Sequence, residues 1–120
     1  MSVTYQIKDW NKLFEIAQSR KCERLHWVAI PNKHDGKGYR RIAKRADATD
    51  IFTAWILILQ VASKQDERGL LVDEGRPITT EDLADKTGYP EKIFILAFDV
   101  LSGQKIGWLE KVNNEKVQNE

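Results

Sequence analysis

The chain has 120 residues, of which 42% are hydrophobic and 31% charged, as expected for a single soluble globular domain with one core. No apolar run reaches the roughly 20 residues of a membrane-spanning helix, and the N-terminal stretch MSVTYQIKDW lacks the pattern of a secretory signal. One cysteine, Cys22, cannot form an internal disulfide, and with two histidines it is too few for a zinc set. The composition therefore favours a cytoplasmic protein that uses no metal and no other cofactor.

The first predicted elements are a helix and a short strand. A helical pattern begins at Asp9 and fades in residues 18–24. The residues on its apolar face are Trp10, Leu13, Phe14 and Ala17. Residues 25–31, LHWVAIP, are rich in β-prone side chains and end at a proline, which predicts a short strand.

Residues 32–45, NKHDGKGYRRIAKR, concentrate positive charge in a stretch that we predict to be a loop, because Gly36 and Gly38 make it too flexible for a helix. The residues expected to contact DNA here are Lys33, Lys37, Tyr39, Arg40, Arg41, Lys44 and Arg45. The cations would hold phosphates, and Tyr39 could stack on an unpaired base. A solvated loop is the alternative interpretation of the same composition.

The next two segments are a central helix and a turn-rich region. Residues 51–64, IFTAWILILQVASK, are too long for a typical strand and predict a buried helix capped by Asp47 or Asp50. Its main apolar stripe is expected to be Phe52, Trp55, Ile56, Leu59 and Ala62 or Ser63. Residues 66–79 predict a turn, a short strand and a second turn.

From residue 79 the order is helix, tight turn, helix and strand, which is typical of a winged helix-turn-helix. Thr79 or Thr80 offers the N-cap hydroxyl, and Gly88 can adopt the left-handed conformation of the turn. The residues expected to pack inward are Leu83, Ile93, Leu96, Ala97, Val100 and Leu101, with Trp108 and Leu109 anchoring the final strand. The predicted fold class is α+β, mainly helical: a winged helix-turn-helix over residues 1–112, with a short β-sheet and an extra N-terminal helix. Residues 113–120 are expected to be a polar, disordered tail.

The second helix of this pair, from Glu91 to Ser102, is a poor surface for reading bases. Its start offers only Lys92 as a candidate DNA contact, and acidic residues lie nearby. Ile95 and Phe98 are expected to be exposed, and they form a candidate surface for a protein partner.

No arrangement of residues predicts an active site. His34 and Asp35 lack the further ligands of a metal phosphohydrolase, and Cys22 lacks a supporting histidine at a recognisable spacing. Neither a Walker-A pattern nor a dinucleotide-binding glycine pattern is present. The protein is therefore expected not to be an enzyme.

Several stretches together resemble the winged-helix N-terminal domain of phage and prophage replication proteins, the family of replisome organisers and DnaD-like primosome components. The matching stretches are WNKLFE, WVAIPNKHDGKGYRRI, AWILILQVASK followed by RGLL, EDLADKTGYPEKIF and IGWLE, over roughly residues 7 to 111. The resemblance implies a role in initiating phage DNA replication, with contacts to DNA, to sister subunits or to both, and no catalytic residues. Full-length relatives often continue into a second domain after a polar linker, so residues 113–120 could begin such a linker.

Three functions remain open at this point. The leading hypothesis is a DNA-binding domain of a replication initiator that contacts phosphates through the basic segment. The second is a protein-interaction module that forms a homo-oligomer or docks a helicase or a helicase loader. The third is a transcriptional regulator, since one fold serves many functions.

Overall fold

The computed structural model describes residues 3–112, which adopt an α+β fold with short strands. The helices are α1 (Trp10–Leu13), α2 (Ala17–Arg20), α3 (Lys37–Ala43), α4 (Ala48–Ser63), α5 (Thr80–Thr87) and α6 (Glu91–Leu101), and the strands are β1 (Thr4–Ile7), β2 (Val72–Asp73), β3 (Arg76–Pro77) and β4 (Leu109–Val112). Within the described residues, no helix has both the length and the apolar character needed to cross a membrane.

Helix α4 forms the centre of the core, as the sequence predicts, and α3, α5, α6 and β1 all pack against it. Its buried residues are Ile51, Ala54, Trp55, Ile58, Leu59, Ala62 and Ser63. The predicted stripe was wrong at Phe52, which is 42% exposed, whereas Ile56 is half-buried against the core. Nearly every position in the middle of α4 is apolar, so periodicity alone does not fix which side faces inward.

The pair α5–α6 forms with the turn that the sequence predicts. Thr79 is the N-cap of α5: its hydroxyl accepts a hydrogen bond from the Asp82 N–H at 3.1 Å, and the Asp82 carboxylate accepts one from the Thr79 N–H at 2.9 Å. This reciprocal pair is a capping box. Gly88 ends α5 in the left-handed conformation, with φ of 80°. Helix α6 then packs against both α4 and α5.

The inner face of α6 differs from the prediction at Phe98. Its side chain is only 8% exposed, and its ring centroid lies 4.4 Å from that of Tyr5 in β1. The expectation of an exposed Phe98 was wrong because β1, which the sequence pattern did not indicate, packs on this side of α6. Leu96 and Val100, expected inside, are half-buried. Ile95 is 54% exposed, which confirms its predicted position.

Strand β1 lies between two neighbours and closes the fold. Antiparallel pairing with β4 sets Thr4 opposite Val112 and Ile7 opposite Leu109. On the other side of β1, the Ile7 N–H donates to the Gly69 carbonyl at 2.8 Å. The strand that follows α6 is therefore paired with the start of the chain.

The region 66–79 forms a hairpin where the sequence predicted a turn, a strand and a turn. Strand β2 pairs with β3 so that Asp73 lies opposite Arg76. Glu74 and Gly75 between them both have positive φ, as the turns favoured in two-residue hairpin loops require.

Where the sequence predicted one N-terminal helix, there are two short helices, α1 and α2, and Glu15 lies between them with its carboxylate buried. Arg68 binds it through two nitrogens, Nε to Oε2 at 2.8 Å and Nη2 to Oε1 at 3.2 Å. Trp10 Nε1 and Ser19 Oγ each donate to it at 2.6 Å. These bonds hold the pKa of Glu15 down at about 2, with the Arg68 hydrogen bond as the main cause. The buried pair fixes the N-terminal segment against the loop before β2.

Residues 25–31 form no strand, so that prediction was wrong. Trp27 is 70% exposed and Ile30 is 44% exposed, and no neighbouring strand pairs with this segment. β-prone residues form a strand only when a partner strand is present. Leu25 and Val28 pack against the core, but no strand among the described residues pairs with this segment.

Candidate nucleic-acid interface

The basic segment contains helix α3 where the sequence predicted a loop. Ile42 is buried and Tyr39 packs its ring against Trp108, with 4.4 Å between the ring centroids. Gly38 sits so close to the Trp108 indole that a β-carbon there would lie 2.9 Å from it. Gly38 therefore allows α3 to pack closely against Trp108. The loop prediction was wrong because Trp108 is remote from Gly38 in sequence, so the local pattern could not indicate this contact.

The helix arranges four cations on one exposed side. Lys37, Arg40, Arg41 and Lys44 are spaced i, i+3, i+4 and i+7, which places them on one face, opposite the buried Ile42. We call these four residues the basic face. The ion pairs within the described residues join other side chains, so no carboxylate among them forms an ion pair with this face.

Arg41 connects the basic face to the far end of α6. Its guanidinium Nη1 donates to the Lys105 carbonyl at 2.5 Å, in the turn between α6 and β4. A shallow groove of about 650 Å³ follows this contact and is lined by Lys44, Arg45, Asp99 and Lys105, among others. Lys105 adds a cation that the sequence analysis did not include.

Arg45 differs from its neighbours because it already has a partner. Its Nε and Nη2 donate to the two carboxylate oxygens of Asp47 at 2.8 Å and 3.1 Å. The hydrogen bond from Arg45 lowers the pKa of Asp47 below its ordinary value. The pair is exposed, so Arg45 can exchange this carboxylate for a phosphate.

Lys92 does not belong to this cluster. It lies in the first turn of α6, whereas Arg41 and Lys105 meet beyond its last turn. A helix of 11 residues is roughly 16 Å long, so Lys92 and the basic face lie near opposite ends of α6.

An aromatic cavity of about 260 Å³ opens on the other side of α3. Its residues are Ile7, Lys8, Asp9, Leu13, Phe14, Pro31, Lys33, Tyr39, Trp55, Gly107 and Trp108. Lys33 and Tyr39, two of the predicted contacts, thus meet here. Sequence reasoning missed the cavity because its walls come from distant segments. The spacing of Tyr39 and Ile42 was the local signal that could have indicated α3.

Within the described residues, no group of three or more His, Cys, Asp or Glu side chains is placed to hold a metal ion. Comparison with protein-family models, with curated proteins and with solved structures finds no match to this chain.

Proposed function

We propose that this chain is a nucleic-acid-binding domain of the winged-helix type, which holds the phosphate backbone without base specificity through the basic face of α3. The observation that carries this proposal is the row of four exposed cations with no carboxylate partner among the described residues. Like charges at i, i+4 destabilise a helix by about 0.2–0.5 kcal/mol per pair. A polyanion such as DNA compensates this repulsion.

The surroundings of α3 support the same conclusion. Lys105 and Arg45 extend the positive surface along the groove beside Arg41, and Lys33 extends it toward the aromatic cavity. Four to six phosphate contacts would give a slope of the log association constant against log salt on the order of −3 to −5.

The α5–α6 pair supports the proposed winged-helix type, and the sequence resemblance supports the proposed role in phage DNA replication. The α5–α6 pair has the capped helix, glycine turn and second helix of a helix-turn-helix. The resemblance to replisome organisers and DnaD-like proteins supplies the replication role. In this chain β4 pairs with β1, which differs from a wing formed by two consecutive strands. A helicase or helicase loader, bound through the same domain, is part of this proposal.

The test is a salt series of binding to single-stranded and duplex DNA, followed by fluorescence anisotropy. Arg40 and Lys44 are the best positions, because within the described residues the ion pairs involve neither side chain, so the substitutions remove charge without breaking an ion pair. We expect Arg40→Ala with Lys44→Ala to weaken binding to both forms and to reduce the salt slope by about 2. Lys64→Ala, which removes an exposed cation after α4, is the control and should change little. Unchanged affinity in the double variant would remove the basic face as the binding site.

A second candidate function is a protein-interaction or dimerisation surface on α6. Ile95 is 54% exposed in the middle of an apolar run whose other members are buried or half-buried, which favours a partner there. Sedimentation at micromolar concentration tests it: a monomer for the native chain and for Ile95→Asp alike would argue against a homodimer.

A further inference from the structure

We propose that the aromatic cavity takes one unstacked nucleobase of a single DNA strand whose phosphates lie along the basic face of α3. The inference rests on the proposed nucleic-acid function and names the form of DNA that the site accepts. A duplex, whose bases are paired and stacked, would have to open before it could fill the cavity.

The walls of the cavity are suited to a flat ring. Trp108 lies between Tyr39 and Trp55, with ring centroids 4.4 Å and 5.0 Å away, and Phe14 packs edge-on to Trp55 at 6.4 Å. Bases stack on such rings without regard to sequence, because every base has a π-face. At about 260 Å³, the cavity is smaller than the roughly 300–1,000 Å³ of sites for drug-sized ligands. It therefore fits one ring system rather than a base pair.

The charges at the cavity favour a nucleotide over a cation. Lys8 and Lys33 line it together with one acid, Asp9. Aromatic cages also bind quaternary ammonium groups, but two lysines would repel such a ligand. A phosphate attached to the bound base is instead attracted to them.

The cavity and the basic face share one helix, which makes a continuous path for a strand. The Tyr39 side chain projects from α3 toward the cavity. Lys37 and Arg40 lie on the outer side of the helix, within one helical turn of Tyr39. A strand that lies along these cations passes the mouth of the cavity, so one of its bases can turn inward.

The cavity wall also contains an unused hydrogen-bond donor. The Trp55 Nε1–H is buried and has no partner among the described residues. Bases carry carbonyl oxygens and ring nitrogens that accept such a bond.

The experiment compares two labelled strands of equal length by fluorescence anisotropy: one with bases and one abasic, which keeps every phosphate. We expect the native chain to bind the strand with bases at least about fivefold more tightly than the abasic strand, and also more tightly than a duplex. Leu13→Trp fills the cavity from an exposed position and should abolish this difference while leaving affinity for the abasic strand unchanged. Ile16→Trp adds the same ring at an exposed position outside the cavity and should preserve the difference.

A second measurement needs no variant. The base analogue 2-aminopurine, placed in the middle of the strand, should lose fluorescence on binding, because it stacks on the rings of the cavity. Equal affinity for both strands, or unchanged 2-aminopurine emission in the complex, would overturn the inference while leaving the basic face intact as a phosphate site. Saturable binding of dAMP with no preference between the strands would also overturn it, since the occupant would then be a free nucleotide. Failure of both strands to bind would instead contradict the proposed function itself.

Discussion

The indole ring of Trp108 lies against the α-carbon of Gly38, so that a β-carbon on Gly38 would come within 2.9 Å of the ring. This contact joins α3 to the turn before β4 and holds Tyr39 beside Trp108, 4.4 Å between ring centroids. The basic face and one wall of the aromatic cavity are thus positioned by a single packing contact.

Gly38→Ala should therefore destabilise the protein. In an ordinary helix interior, alanine is more stable than glycine by about 1 kcal/mol. Here the added methyl group displaces Trp108 or α3, and such overpacking costs about 1–3 kcal/mol. We expect a lower free energy of unfolding in urea, whereas Ala43→Gly, at an exposed position of the same helix, should show only the propensity loss. A more stable Gly38→Ala variant would contradict this packing.

The Glu15–Arg68 pair predicts a loss of stability in acid. The folded pKa of Glu15, about 2, lies below its ordinary value of 4.5. The stabilisation is therefore complete above about pH 5 and is lost as the pH falls toward 2, by an amount on the order of 3 kcal/mol. Urea unfolding across this pH range should show the loss in the native chain and a much flatter profile in Glu15→Gln. Glu23→Gln, at an exposed acid nearby, should retain the native profile.

Lys37→Glu should stabilise the fold while weakening DNA binding. Lys37 is the first residue of α3, where a cation opposes the helix dipole, and it repels Arg40 and Arg41. A carboxylate there reverses both effects and should raise the free energy of unfolding by about 1 kcal/mol at low salt. Thermal unfolding measures the expected gain in stability, and fluorescence anisotropy on the same sample measures the expected loss of DNA affinity. Lys37→Gln should give a smaller change in each, and a destabilised Lys37→Glu variant would count against the charge repulsion on α3.

Gly88 tests the turn between α5 and α6. Its φ is +80°, and no atom lies within 4 Å of the position that a β-carbon would take. Any penalty therefore comes from the backbone alone, and Gly88→Ala should cost about 1–2 kcal/mol. Gly88→Asn should cost less, because asparagine tolerates the left-handed conformation. Equal thermal stability of the two variants would show that the turn does not depend on this conformation.

Local signals were enough to predict α4, α5 and α6, whereas contacts remote in sequence decided the rest. Thr79, Asp82 and Gly88 mark the ends of α5 directly in the sequence. Helix α3 was missed because Gly38 argues against a helix when only the local sequence is considered. The reason for a glycine at this position is its close contact with Trp108, in the turn before β4.

The orientation of α6 shows the same limit. Its residues from Ile93 to Phe98 are all apolar, so the sequence does not determine which side of the helix faces the core. The contact between Phe98 and Tyr5 explains why Phe98 is buried. The basic composition of the candidate site was visible in the sequence. Its single-faced arrangement on α3 and the neighbouring cavity were not, because both depend on how that helix packs.

The pairing of Thr4 with Val112 also has a consequence for synthesis of the protein. During translation, β1 is made before β4 and remains without this partner until nearly all of the described chain has been made, so the two strands pair late. Completed folding brings Val3 close to Val112, and a pair of fluorescent labels there would report that final step.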